Sequence, residues 1–239
     1  MAPVAPAAPV PVPAPNFAPM PAGPLAPAPG FASTPPQPAP GAMRPSFSFR
    51  APPTEAGARV RGEDLIADLF EAMHDLHFAR DAVEGGDFCL VLAMEKLLCQ
   101  AGIVHLYDIN RREFLVSSAR GPGTNTLLLR RSPEGDPLLS LAMRKRSAVV
   151  IADSGQSEVG MVDRYAILGG ARSLIVAPVM KSGRFLGAIE LVNPLDGQPF
   201  TESDGNAVTY IAEQFAEFVA DRGVVTDPER IGAQRPPEV

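Results

Sequence analysis

A glutamate in an otherwise apolar strand is the residue with the clearest chemical meaning in this sequence. Glu190 lies two positions from Ala188 and two from Val192, so strand alternation places the three side chains on one face. Burying a carboxylate without compensation is costly, and Glu190 therefore requires a partner, a water molecule or a ligand. Glu190 is therefore either a solvent-reached or hydrogen-bonded structural glutamate or a candidate for binding a ligand.

Three histidines offer further chemistry. His105 stands on another predicted strand, where it is either satisfied within the core or in contact with a ligand. His74 and His77 supply two donors on one predicted helix, whereas a metal site needs three or four. The sequence thus predicts no metal site, and it leaves any cofactor unknown.

Catalytic motifs are missing from the sequence. There is no Walker loop, no Gly-x-Ser-x-Gly and no His-Glu-x-x-His. Cys89 and Cys99 fall in one predicted helix, about 15 Å apart at ~1.5 Å per residue, which is too far for a disulfide. These observations predict a non-enzymatic protein with reduced cysteines, which is typical of a cytoplasmic location.

The elements that position these residues follow from apolar periodicity and turn residues. Helices are predicted over 64–80, 88–100 and 137–146 and after Thr201, with strands over 103–108, 114–118, 127–130, 148–151, 172–180 and 185–192. Gly85-Gly86-Asp87 is predicted to separate the first two helices. Adjacent strands with helices at both chain ends predict an α+β fold with an antiparallel sheet and a terminal helical layer.

The C-terminal third carries the strongest local signals. Lys181-Ser182-Gly183-Arg184 predicts a tight turn between two strands. Thr201, with Asp204 three residues later, predicts the N-terminus of a helix. A single apolar stripe then recurs at spacings of three and four, formed by Val208, Ile211, Phe215 and Phe218.

Two segments of this third carry a family likeness. They are Leu186-Gly187-Ala188-Ile189-Glu190-Leu191-Val192-Asn193 and Phe200-Thr201-Glu202-Ser203-Asp204. They resemble the C-terminal half of a GAF domain, a small sensory module related to PAS, and the resemblance covers residues 61–221. It implies a central antiparallel sheet of about six strands, with a terminal helical layer on one face and a ligand-pocket loop on the other. It also implies a sensory or regulatory module that binds a small ligand or a partner protein.

The resemblance places a candidate pocket on one face of the sheet. Glu190 would face it together with Ser173, Ile175 and Ala177, and His105 is a further candidate. The covering loop would contribute Asp153, Ser154, Arg164 and Tyr165.

Members of the family that bind cyclic nucleotides carry a recognisable pattern around the last helix. Asn193, Phe200 and Asp204 match it, but Pro194 replaces its lysine and Gly205 its glutamate. Without those charges, Asn193 and Asp204 are expected to form a turn and a helix cap rather than a nucleotide site.

Terminal helices commonly pair across a dimer in this family, which implies a homodimer that signals through these helices. The predicted dimer contacts are Ile66, Leu69, Met73, Val208, Ile211, Phe215 and Phe218. One alternative function is a ligand-free interaction scaffold. Another is a free methionine sulfoxide reductase, but residues 121–170 contain none of the cysteines that this chemistry needs near the pocket.

Composition divides the chain further. Of the 27 prolines, 18 lie in the first 53 residues, which contain no acidic residue, so residues 1–60 are predicted to be disordered. The GAF-like domain is predicted over 61–222 and a flexible end over 223–239. Prolines at every third position, at Pro3, Pro6 and Pro9, would lie on one edge of a polyproline helix that a partner protein can bind, but a solubilising spacer explains the same composition and is the preferred interpretation.

Charge and hydropathy argue against two other classes of partner, nucleic acids and membranes. The whole chain carries a net charge of -6, and its first 53 residues contain only Arg44 and Arg50, so the remainder carries about -8 and is a poor nucleic-acid binder. No run approaches the ~18 apolar residues of a membrane span.

Overall fold

The computed structural model describes Arg59 and residues 62–156, 163–224 and 228–232. The predicted disordered segment therefore lies outside the described residues, apart from Arg59, as does most of the predicted flexible end. In chain order the elements are α1 (Glu63–Ala72), a 3₁₀ helix (Met73–Phe78), α2 (Ala82–Leu97), β1 (Cys99–Asp108), β2 (Glu113–Arg120), a 3₁₀ turn (Thr124–Thr126), β3 (Arg131–Pro133), α3 (Pro137–Lys145), β4 (Val149–Ile151), a 3₁₀ turn (Ser154–Gln156), α4 (Asp163–Ile167), β5 (Leu174–Lys181), β6 (Arg184–Pro194), α5 (Glu202–Arg222) and α6 (Pro228–Gly232).

The six strands form one antiparallel sheet in the order β3-β2-β1-β6-β5-β4, which confirms the predicted α+β fold. Its two faces carry different cores. One face packs against α1, α2 and α5, with Val104, Ile189 and Phe215 in its core. The other packs against α3 and α4, with Ile103, Val176 and Leu138 in its core. In the described part of the chain, no helix is both long and apolar enough to cross a bilayer.

Local signals in the C-terminal third form the predicted structures. Ser182 and Gly183 adopt φ of 50° and 79°, and Lys181 pairs with Arg184 across a two-residue turn. Thr201 and Asp204 form a complete capping box at the start of α5. This cap confirms the expectation that Asp204 belongs to a helix terminus.

The predicted break at Gly85-Gly86-Asp87 is wrong, because α2 runs through both glycines from an N-cap at Asp81. A Cβ on Gly85 would lie 2.8 Å from the ring of Phe218, and one on Gly86 would lie 3.2 Å from the ring of Phe215. These glycines therefore allow α2 and α5 to approach closely rather than ending a helix.

Two other predicted elements are also corrected. Cys99 belongs to β1 and not to the helix of Cys89, because α2 ends at Leu97 and the capping residue Leu98 has a left-handed conformation with φ of 46°. Residues 127–130 form a turn, and the short edge strand follows at Arg131–Pro133. The backbone nitrogen of Leu129 bonds to the carbonyl of Val116, but Leu129 has a φ of 66°, which a regular strand excludes.

Candidate functional site

The carboxylate of Glu190 is fully buried and bound by two neighbours from α4. Arg164 donates from Nε to Oε2 at 2.9 Å and from Nη2 to Oε1 at 2.6 Å. Tyr165 donates its hydroxyl to Oε2 at 3.0 Å. A two-pronged contact of this kind combines two charge-assisted hydrogen bonds, each roughly twice as strong as a bond between neutral groups.

Asp136 holds the other side of the Arg164 guanidinium. Its carboxylate oxygens lie 2.6 Å from Nη1 and 3.3 Å from Nη2 of Arg164. Asp136 is also the N-cap of α3, where it accepts the backbone N–H groups of Leu138 and Leu139. Arg164 therefore joins β6 to α3 through two carboxylates, and we call Glu190, Arg164, Asp136 and Tyr165 the buried ionic cluster.

This environment sets the protonation state of the cluster. Burial raises the pKa of Glu190, but the Arg164 guanidinium and His105 together outweigh it and hold that pKa well below its ordinary range. Burial lowers the pKa of Arg164, and the neighbouring Glu190, Tyr165 and Asp136 together more than reverse the effect. Burial and the same carboxylate raise the pKa of the Tyr165 hydroxyl well above its ordinary value. At neutral pH Glu190 is thus a carboxylate, Arg164 a guanidinium cation and Tyr165 a neutral phenol.

His105 completes the surroundings of Glu190. Its Nε2 lies 3.3 Å from Oε1 of Glu190, close enough for an ionic contact. In the described part of the chain, however, neither ring nitrogen makes a hydrogen bond, although the side chain is fully buried. His105 faces this side of the sheet just after a bulge between Val104 and His105 in the β1–β2 pairing, and its ring packs edge-on against Phe114.

A cavity of ≈ 410 Å³ lies beside the buried ionic cluster. Its walls come from β1, β2, the turn before β3, and the starts of α3 and α4, and they include Ile103, Val116, Leu127, Arg130, Arg131, Ser132, Asp136, Asp163 and Arg164. The volume falls within the roughly 300–1,000 Å³ typical of small-molecule sites.

The predicted pocket residues thus divide into two groups. The structure brings Glu190, His105, Arg164 and Tyr165 together on one face of the sheet. Ser173 is on the opposite face with Ile175 and Ala177, because the β5–β6 register pairs Glu190 with Val176. Neighbouring residues of a strand point to opposite faces, so Ile175 and Ala177, on either side of Val176, face away from Glu190, and so does Ser173. The prediction that Ser173, Ile175 and Ala177 share the face of Glu190 is therefore wrong.

Asp153 and Ser154, predicted to belong to a covering loop, are not among the residues that line the cavity. Asp153 accepts the backbone N–H of Gly155 at 2.9 Å. The hydroxyl of Ser154 donates to the carbonyl of Ala171, and its backbone nitrogen donates to the carbonyl of Arg172 at 2.8 Å. Ser154 therefore holds the segment after β4 to the segment that precedes β5, whereas the bond between Gly155 and Asp153 is local.

The predicted dimer residues lie mostly inside the single chain. Leu69, Met73, Val208, Ile211, Phe215 and Phe218 are all buried in the helical core. Ile66 alone among the seven is exposed, at 39 %. The stripe on α5 packs on the chain's own sheet and on α2, so any dimer must use other residues.

Sequence reasoning missed two residues that matter to this region. Asp136 precedes Pro137 at the start of a predicted helix, so the sequence indicates that it caps this helix. The sequence does not indicate that Asp136 forms an ion pair with Arg164. Arg59 lies two residues before the predicted domain boundary, yet its side chain is fully buried and paired with Asp204 at 3.0 Å and Asp196 at 2.7 Å. No local pattern marks Arg59, because both partners are more than 130 positions away.

Comparison with known families matches a GAF domain model to residues 81–220, which is more than half of the chain. The chain belongs to the GAF family. The match begins after α1 and therefore leaves out Arg59. No curated protein matches the chain in sequence.

Several solved structures share this fold at low identity. The GAF domain of a phosphoenolpyruvate-protein phosphotransferase from Coxiella burnetii is 17% identical with a TM-score of 0.58, covering 66% of this chain and 93% of its own. The corresponding Acinetobacter domain is 15% identical with a TM-score of 0.56, covering 69% and 99%. A free methionine-R-sulfoxide reductase from Neisseria meningitidis, solved with its substrate, is 19% identical with a TM-score of 0.54, covering 71% and 90%. These likenesses establish the fold and leave the ligand open.

Proposed function

We propose that this GAF domain is a non-enzymatic sensory module that binds a small ligand in the cavity beside the buried ionic cluster. The observation that carries the proposal is a ligand-sized cavity that reaches the guanidinium of Arg164 and the carboxylate of Asp136. A buried charge cluster next to an open cavity is typical of binding sites, because such clusters are costly to maintain for stability alone.

The walls of the cavity indicate what kind of ligand it accepts. Ile103, Val116 and Leu127 form an apolar wall. Arg164 is occupied by two carboxylates, but Arg130 and Asp163 have no side-chain partner among the described residues. We therefore propose a ligand with an apolar body and a charged head group, oriented by Arg130 or Asp163.

Native mass spectrometry of the protein purified from its own cells tests this proposal. We expect a stoichiometric bound small molecule in the wild type. Val116→Phe should reduce its occupancy about 10-fold, since a steric cost of ~1.4 kcal/mol is enough for that change. Leu195→Phe, at a 52 % exposed position away from the cavity, is the control and should retain the molecule. Repeated absence of any bound molecule would instead favour the interaction scaffold.

The state of the cysteines supports a non-enzymatic role. Thiol chemistry needs a thiolate within reach of the substrate. Burial raises the pKa of Cys89 far above its ordinary value and that of Cys99 to about 12. Neither cysteine is among the residues that line the cavity. Both properties argue against extending the reductase activity of the Neisseria protein to this chain.

We further propose that the protein is a homodimer through the exposed face of α1. Ile66 and Phe70 border a shallow groove of ≈ 630 Å³ there, and Phe70 is 73% exposed. Placing a charge at Phe70 should shift the dimer towards monomer by about 10-fold in dissociation constant or more, because that charge would be desolvated in the interface. Sedimentation equilibrium of Phe70→Glu measures the shift, with Leu195→Glu as the control. A wild-type protein that is monomeric at all concentrations would refute the proposal.

The output of the module is proposed to pass to a partner protein that reads the proline-rich segment, in the cytoplasm. The repeated spacing of three between prolines supports this, since it matches one edge of a polyproline helix. The full chain should capture the partner, and a chain that lacks residues 1–58 should not. Equal capture by the two chains would contradict the proposal.

A further inference from the structure

The connection between β6 and α5 is held by Arg59, a cation from the N-terminal end of the domain. Arg59 donates to Asp196 at 2.7 Å, to Asp204 at 3.0 Å, and to the carbonyls of Gln198 and Pro199 at 3.5 and 3.3 Å. It also lies 5.8 Å from the ring centroid of Phe200. Pro194 stands where the cyclic-nucleotide pattern has a lysine, so no cation is available to Asp204 from that position. Arg59, which lies where the N-terminal segment meets the domain, supplies the cation instead.

This contact has the properties of a two-state element. The side chains of Arg59 and Asp204 are both fully buried. In the described part of the chain, Oδ1 of Asp204 already lacks a hydrogen bond. Withdrawing Arg59 would leave a buried carboxylate without its counter-ion, so partial release is unfavourable and the contact is either made or broken.

Hydrogen bonds lead from this connection to the segment before β5. The backbone nitrogen of Phe200 donates to Oγ of Ser173 at 2.9 Å. Asn193, which has a φ of 53°, accepts the backbone N–H of Arg172 at 2.6 Å and that of Ser173 at 3.3 Å. Ser173, predicted to bind ligand, thus joins β5 to the β6–α5 connection.

The same asparagine extends the route to the cavity. Its side-chain amide donates to the carbonyl of Gly170 at 2.8 Å. The backbone nitrogen of Gly170 in turn donates to the carbonyl of Tyr165 at 2.9 Å, and Tyr165 binds Glu190 beside the cavity. A continuous series of contacts therefore joins the buried ionic cluster to Arg59.

We infer that this route couples the cavity to the N-terminal segment: the state of α4 at the cavity and the engagement of Arg59 with Asp196 and Asp204 change together. The inference rests on the proposed ligand-binding function and gives it an output that does not require the α5 stripe. Because coupling is reciprocal, releasing Arg59 must loosen α4 just as a change at α4 must loosen Arg59.

Hydrogen exchange of the full chain, followed by mass spectrometry without any added ligand, tests the coupling. Arg59→Gln should accelerate amide exchange over 194–204 and also over 163–173, by about 5-fold or more at the second site. The matched control is Arg120→Gln, which breaks the partly exposed Arg120–Asp87 ion pair and should leave 163–173 unchanged. If Arg59→Gln does not fold, Arg59→Lys replaces it, since lysine keeps the charge but cannot reproduce the forked contact.

A second variant, Asn193→Gly, interrupts the series of hydrogen bonds between Arg59 and the cavity. Asn193→Gly removes the side-chain bonds and suits the positive φ, so adding Arg59→Gln to it should no longer accelerate exchange over 163–173. Acceleration confined to 194–204 in Arg59→Gln, or an equal effect in the Asn193→Gly background, would overturn the inference. Either result leaves the proposed function standing, because that function fails only if native mass spectrometry finds no bound molecule.

Discussion

Replacing Arg164 with methionine should lower the free energy of unfolding by about 3–5 kcal/mol, because it leaves the buried carboxylates of Glu190 and Asp136 without their shared counter-ion. In a domain of this size the midpoint of thermal unfolding should fall by about 10 °C. Denaturant unfolding of the full chain measures the change. A loss below about 1 kcal/mol would contradict the account of the buried ionic cluster.

The charge explanation is separated from lost packing by a double variant and by pH. Arg164→Met combined with Glu190→Met should recover much of the stability, since the deepest unpaired charge is then removed as well. In the wild type, the pKa of Glu190 is lowered by folding, so its stabilisation is full above the ordinary glutamate value of about 4.3 and is lost as pH falls below it. In Arg164→Met the buried carboxylate loses its cation and its pKa rises, so that variant should gain stability as pH falls. The difference between the two proteins should therefore shrink in acid.

Gly187→Ala should be the most disruptive of the small substitutions in the sheet. A Cβ at this position would lie 2.2 Å from the backbone carbonyl of His105 on the neighbouring strand, a contact that no side-chain rotation can relieve. Separating β1 from β6 there should cost about 3 kcal/mol and disturb His105 beside Glu190.

Gly135→Ala is the matched control for that substitution. Nothing lies within 4 Å of a Cβ built on Gly135, and the free energy of unfolding should stay within about 0.5 kcal/mol of the wild type. Chemical denaturation of the two variants measures both effects. Equal stability of Gly187→Ala and Gly135→Ala would show that β1 and β6 can separate at little cost.

Much of the fold was predictable because its signals are local. The turn at 181–184 and the capping box of Thr201 and Asp204 depend on residues within four positions of one another. The errors fell where a distant contact overrides local propensity. Gly85 and Gly86 are typical helix breakers, but they lie inside α2 because the rings of Phe215 and Phe218 occupy the space beside them.

The candidate site shows the same division between sequence and structure. The sequence by itself determined that Glu190 needs a partner, since a carboxylate on an apolar strand cannot be buried alone. Only the tertiary structure decided that this partner is Arg164, that Asp136 shares it, and that Ser173 faces the other side of the sheet. It also decided that Arg59 replaces the cation missing at Pro194. Ion pairs form between residues that the fold brings together, and neither spacing nor composition records which distant charges will meet.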